Sequence, residues 1–397
     1  MNNHAAPFVY TYTGAGDGNT AHLQANMGNE MNRSRINDRG SASFELNRRM
    51  TSSSICEEFG FSRRDFLYSL GVVAVTGSGC TSETTSEPAR QPFPYDQINS
   101  SSYLSDLSVV VDVQDSQVFT EGPAVARDGR IYFTNMRTSK ILRWNPVSEE
   151  LEVFRENTNS ANGLLFDHQE RLLACEGAAG RVTRMDITSG EVEILADTYN
   201  GLPLDPPNDL CLDSQGRIYF SSRPATGAPS RGNVVAVYRI DPDGTLSQLL
   251  AWPQVHMPNG LALSPDESTL YLIETHRDVA HHRDIRAYDL SSDGSLSNER
   301  VLVDFYPGRS GDGMAIDEQG NLYVAAGLHA LRGGSETLDT RPGIHVFSPQ
   351  GELLAYRQTP MDSVTNCTFG GDDFKTLYVT AGSHLLAGRS IIAGNRS

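Results

Sequence analysis

Lysine is almost missing from this chain. Among 397 residues only Lys140 and Lys375 are lysines, and the other basic residues are Arg. Acidic residues outnumber basic ones 49 to 32, and the formal net charge of −17 argues against nucleic acid and anionic membrane surfaces as partners. No apolar run approaches the ~20 residues that a membrane-spanning helix needs. No G-x-S-x-G motif occurs, so a serine-hydrolase route lacks its nucleophile elbow. The five cysteines do not make a disulfide framework. Cys56 and Cys80 lie near the N-terminus, while Cys175, Cys211 and Cys367 sit in or beside β-type runs, where a free thiol packs as a small apolar residue. No long 3.6-residue periodicity is present either.

What is present is a repeat. PPNDLCLDSQGRIYFSS, residues 206–222, reads as a turn, an apolar strand, a polar hairpin and a second strand. The same arrangement occurs as EGPAVARDGRIYFTN from Glu121, NGLLFDHQERLLACEG from Asn162 and NGLALSPDESTLYLIET from Asn259. It returns as DGMAIDEQGNLYVAAG from Asp312 and NCTFGGDDFKTLYVTAG from Asn366, and the six starts are spaced 41, 46, 51, 53 and 54 residues apart. Further hairpins lie between the copies. GRVTRMDITSGEVEIL (180–195) and VVAVYRIDPDGTLSQLL (234–250) each hold two β runs joined by an Asp- and Gly-containing turn. Four strands per period and six periods predict an all-β chain: a six-bladed β-propeller with four-stranded antiparallel blades over residues 105–397.

The N-terminal region has a different composition. Residues 1–49 are polar, rich in Asn, Ser and Arg, and read as disordered, or as sequence upstream of a start at Met50. Residues 50–80 fit a twin-arginine signal peptide, with Arg63-Arg64 opening it and Leu70 to Val75 as a short apolar stretch. Its Gly-Ser-Gly-Cys ending resembles a lipoprotein processing site, although Gly77 stands where an apolar residue is usual; Cys80 is a candidate lipidation site. Residues 81–104 read as a polar tether. The expected location is the periplasm or cell envelope, lipid-anchored if Cys80 is modified.

Each repeat opens on an acid or an amide: Glu121, Asn162, Asn208, Asn259, Asp312 and Asn366. The first strand of a propeller blade lines the central channel, so these side chains are expected to converge near one mouth. Asn-Gly and Asp-Gly also make tight entries into strands, which accounts for Asn162 and Asn366 without any function. That explanation fails for Glu121, because Glu is a poor turn residue and Gly122-Pro123 already supply the bend. Convergent oxygen donors suit a hard cation, and calcium accepts six to eight of them in irregular geometry. Zinc would want nitrogen or sulfur ligands that these positions lack.

EGPAV, PPNDLCLDSQGRIYF, MPNGLALSPDESTLYL, GDGMAIDEQGNLYVAAG and TNCTFGG resemble, in order and spacing, the successive signatures of the gluconolactonase/regucalcin family of calcium-dependent lactonases. The resemblance covers roughly residues 108–390. It implies that Glu121, Asn259 and Asp312 ligate the metal directly, and that Asn208 touches the metal, its water or the substrate. It also implies that Asp312 is the general base and that one Ca²⁺, or another divalent cation, is the cofactor. Three positions depart from the pattern. Leu202-Pro203-Leu204-Asp205 replaces an Arg that many relatives carry before the Asn-Asp pair. Ser221-Ser222-Arg223-Pro224 replaces Asp-Pro-Pro-Tyr, and Glu274-Thr275-His276 replaces an expected Ser-Asp. The metal set is kept while the substrate wall differs.

Candidates for that wall are Arg137, Arg223, His256 and His276, alongside Asn208; for each histidine the competing reading is a solvated loop residue. Glu176 has the same standing, and His281-His282 read as exposed. The expected reaction is opening of a lactone, an aldonolactone above all, by metal-activated water. Hydrolysis of a phosphotriester on the same metal, or a non-catalytic propeller that binds a ligand or protein, are the alternatives. Export should depend on the arginine pair: replacing Arg63 and Arg64 with Lys is expected to hold the precursor in the cytoplasm, which fractionation followed by immunoblotting reads, and undiminished export would contradict the signal assignment.

Overall fold

The computed structural model describes residues 9–12, 23–26, 93–224 and 228–396. The chain divides into two units, Met1–Glu87 and Pro88–Ser397. In the first, Val9–Tyr12 pairs antiparallel with Leu23–Asn26, a hairpin within the stretch whose composition predicts disorder. The signal-peptide reading, with Arg63, Arg64 and Cys80, lies outside the described residues.

The second unit is the predicted propeller. Six four-stranded antiparallel sheets follow one another along the chain. Their innermost strands are Thr120–Val125, Ala161–Phe166, Pro207–Leu212, Pro258–Leu263, Gly311–Ile316 and Val364–Gly370, and each meets the innermost strands of its two neighbours. No α-helix occurs among the described residues. The ring closes by a device the repeats do not announce. The outermost strand of the sixth blade is Ser108–Asp112, from ahead of the first blade, paired with His384–Arg389.

Local chemistry explains why the repeats fold this way. Behind the inner strands, Asp167, Asp213 and Asp317 each accept backbone N–H bonds from the residues two and four positions on, which pins the hairpin. The β runs that follow are buried on both faces. Tyr132, Phe133, Tyr219, Phe220 and Tyr323 are fully buried among them, each contributing about 1.5–3 kcal/mol through removal of apolar surface from water. The core falls into six apolar clusters, each shared by two neighbouring blades, so no blade buries its own faces alone.

One boundary needs correction. The polar tether read over 81–104 does not extend to Leu104, because residues 93–104 are docked on the propeller. Phe93 packs edge-on against Phe305 at 5.6 Å, the Tyr95 hydroxyl bonds His345 Nε2 at 2.9 Å, and Leu104 is fully buried. The apolar side chains in this otherwise polar stretch are what bind it.

The inner strands approach one another closely at their glycines. A Cβ added to Gly313 would lie 2.1 Å from Cγ of Asn366 on the next blade, and one on Gly260 would lie 2.6 Å from the Asp312 carbonyl oxygen. Gly313→Ala is therefore expected to cost about 1–3 kcal/mol through overpacking. A melting temperature equal to that of the parent protein would contradict this packing.

Candidate active site

In five of the six inner strands two residues stand opposite one on the neighbouring strand. The bulged pairs are Gly122-Pro123, Asn162-Gly163, Asn208-Asp209, Asn259-Gly260 and Asp312-Gly313. A bulge re-aims side chains, and these fall at the heads of the repeats. A cavity of about 250 Å³ results, lined by Glu121, Asn162, Asn208, Asn259 and Asp312. The four expected metal ligands are thus brought together, and Arg223 lines the same cavity. Asn366 is not with them. In the sixth strand the extra residue is Thr365 alone, so Asn366 stays paired with Thr380 and donates to Asp209 Oδ2 at 3.0 Å within the channel.

Three of the expected substrate contacts are displaced. Arg137 is exposed on a single 3₁₀ turn, Met136–Thr138, with its guanidinium 5.8 Å from the Phe119 ring; Met136 and Phe119 line the cavity while Arg137 does not. His256 and His276 are also absent from the wall, where their neighbours Met257, Thr275 and Arg277 stand instead. Successive side chains of extended backbone point to opposite sides, so Met257 and Thr275 facing inward turn both imidazoles away. Glu176 is fully buried, held by Arg155 at 3.0 Å, Arg181 at 2.8 Å and Asn159 at 2.7 Å, and is structural.

The residues that sequence reading missed are mostly arginines. Arg277, Arg309 and Arg332 join Arg223 on the wall, from loops of the third, fourth and fifth blades. Arg309 donates to Asp312 Oδ2 at 3.0 Å and reaches Glu336 at 3.5 Å. It stands three residues before a repeat head, where no periodic signal marks it. Asn259 donates to Asp312 Oδ1, so both oxygens of that carboxylate are held.

The site is electrostatically loaded. Burial, with the nearby Asp312 and Asp209, pushes the Glu121 carboxyl well above its ordinary range. Its one hydrogen bond is from the N–H of Gly122 at 3.2 Å, and among the described residues no Arg, Lys or His lies within ion-pair distance. Burial raises Asp209 to about 7, opposed by the bonds it accepts from Leu210 and Asn366. Burial also lowers Arg223, an effect partly offset by Asp312 and Glu121; an arginine nonetheless stays protonated. An unpaired buried carboxylate facing further oxygen donors fits a divalent cation, and the all-oxygen set of Glu121, Asn208, Asn259 and Asp312 fits a hard one.

The fold is a six-bladed propeller with acid and amide oxygens gathered at one mouth of its channel. Residues 119–383 match the family described as the SMP-30/Gluconolactonase/LRE-like region, and the chain belongs to it. It is 27% identical over 315 residues to the gluconolactonase of Zymomonas mobilis, covering 72% of this chain and 83% of that one. It is 26% identical over 281 residues to regucalcin of Danio rerio, covering 70% and 88%. The solved gluconolactonase of Xanthomonas campestris superposes with a TM-score of 0.63 at 29% identity, covering 77% of this chain and 99% of that one.

The raised Asp209 has a measurable consequence. An acid whose folded pKa lies above its unfolded value destabilises the fold as pH rises through that window, here from about 4 to about 7, and the cost is absent below it. A displacement of this size corresponds to at most about 4 kcal/mol. In chelator, Asp209→Asn should flatten the fall in melting temperature between pH 5 and pH 8. A variant with the parent's pH dependence would show that Asp209 is not the group responsible.

Proposed function

We propose that this chain is a calcium-dependent lactonase acting on small sugar lactones such as aldonolactones. The observation that carries the reading is Glu121, a buried carboxylate that forms no ion pair among the described residues, sharing one cavity with Asp312, Asn208 and Asn259. Those four residues would hold the ion. The gluconolactonases among the relatives support the substrate class.

A divalent cation bound there supplies Lewis-acid polarisation of the lactone carbonyl. The remaining work falls to the chain. Asp312 accepts a proton from the attacking water as the water oxygen bonds to the carbonyl carbon. A carboxylate offers about four lone-pair positions, so the single bonds from Arg309 and Asn259 leave room for this donor. The ring C–O bond then breaks, and the departing ring oxygen takes up a proton to give the hydroxy acid. Arg309 fixes the orientation of the Asp312 carboxylate. Arg223, Arg277 and Arg332 offer N–H donors to substrate hydroxyls and to the product carboxylate. A carboxylate is a weak base, which suits an ester carbonyl better than an amide. With export by the twin-arginine route, the activity belongs to the cell envelope.

Two isosteric variants separate chemistry from ligation. Asp312→Asn is expected to lower turnover ~10²–10⁴-fold through loss of the proton acceptor, at any calcium concentration. Glu121→Gln removes one charge from the same cavity and should recover much of its rate in excess calcium. Initial rates of lactone hydrolysis against calcium concentration make the comparison. Equal rescue of both variants would leave Asp312 as a ligand alone.

A further inference from the structure

Four of the ten histidines in the chain fall between residues 256 and 282. His256 lies just ahead of strand Pro258–Leu263, and His276, His281 and His282 lie in the loop between Thr269–Thr275 and Arg283–Leu290. Their rings pack on one another. His276 meets His281 with centroids 4.1 Å apart, His256 meets His281 at 4.6 Å, and His256 stacks on His282 at 3.9 Å. Trp252 adjoins His256 and His281 at 4.9 and 5.7 Å. The cluster lies outside the cavity described above, and its ligand chemistry is different.

The nitrogens are not equally employed. Nδ1 of His256 accepts from the N–H of His282, and Nδ1 of His276 accepts from the N–H of Asp278, both at 3.1 Å. Nδ1 of His282 faces Arg286. Among the described residues, Nδ1 of His281 is buried and has no hydrogen-bond partner. A buried polar atom without a partner is uncommon, and an ion is one of its standard explanations. One ligand atom from each of His276, Asp278 and His281 lies within 4.8 Å of the others, and Nδ1 of His276 is 4.0 Å from the Asp278 carboxylate. Ligands of a tetrahedral ion with bonds of about 2.0–2.2 Å stand about 3.4 Å apart, so small side-chain rotations in this loop would close the set.

We propose that His276, Asp278 and His281 form a second metal site, selective for a borderline transition ion such as Zn²⁺ over the hard cation suited to the channel mouth. Two imidazoles and a carboxylate are a nitrogen-rich set with a further position for water. The site also has a place in the molecule. Thr275 and Arg277 flank His276 and line the cavity, and the carbonyl of Arg277 accepts from Arg283 at 2.7 Å and from the Ser335 N–H at 3.0 Å. An ion on His276 therefore pins the rim on which Arg277 stands.

The test uses Co²⁺, whose visible absorption reports nitrogen ligation, titrated into chelator-stripped full-length protein in saturating calcium. One equivalent is expected to bind in the parent protein and equally in Glu121→Gln. His276→Gln and His281→Gln should each weaken binding at least tenfold, by about the 10–100-fold range known even for residues that only support a ligand. Asp278 is exposed, so Asp278→Asn provides a ligand deletion that leaves the packed rings intact, and it should weaken binding likewise. Binding that survives all three substitutions, binding lost in Glu121→Gln, or no binding tighter than about 100 µM would each overturn the site. Because the Glu121 variant disables the mouth and spares this loop, the result stands apart from the lactonase reading.

Discussion

Neighbouring inner strands approach so closely that a Cβ at Gly163, Gly260 or Gly313 would clash, and the arrangement at the mouth depends on that approach. Gly163 leaves space for Asp209, whose Oδ1 would stand 2.5 Å from an added Cβ; Gly260 makes room for the backbone at Asp312, and Gly313 for Asn366. Each glycine is the second residue of a bulge whose first residue is a repeat head. The third blade breaks the pattern by carrying Asp209 at that position. Asn208 faces the cavity, while Asp209 points into the channel toward Asn366.

Close approach has an electrostatic cost. Burial, with the charge of Asp312 nearby, raises the proton affinity of Glu121 and Asp209. Arg309 relieves Asp312, but nothing comparable reaches Glu121 among the described residues. A cation bound there would displace that proton, since a ligating carboxylate must be deprotonated. Arg223, Arg277 and Arg332 line the same cavity without forming an ion pair to Glu121.

Much of this was legible in the sequence because it is local. The β runs and the head residues recur at fixed places in each repeat, the hairpin aspartates in three of the six, and Glu121 stood out because a turn does not want glutamate there. Distant pairings left no such mark. Ser108–Asp112 closes the ring against His384–Arg389, and Phe93 docks against Phe305 and Phe347. Asn366 looked equivalent to the other heads, yet in its strand Thr365 is the residue left over and Asn366, paired with Thr380, is turned inward. His256 and His276 failed as wall residues by a single step of alternation, since the adjacent Met257, Thr275 and Arg277 face the cavity. Arg309 was invisible because loop arginines carry no period.

The central claim is that the oxygen ring holds an ion that opens lactones. Its most direct test is a panel of initial rates on an aldonolactone, an aliphatic lactone and a phosphotriester, each in saturating calcium and in chelator. The account predicts aldonolactone hydrolysis that chelator abolishes and added calcium restores, well above the rate on the phosphotriester. Lactone hydrolysis indifferent to chelator, or turnover of the phosphotriester alone, would contradict it.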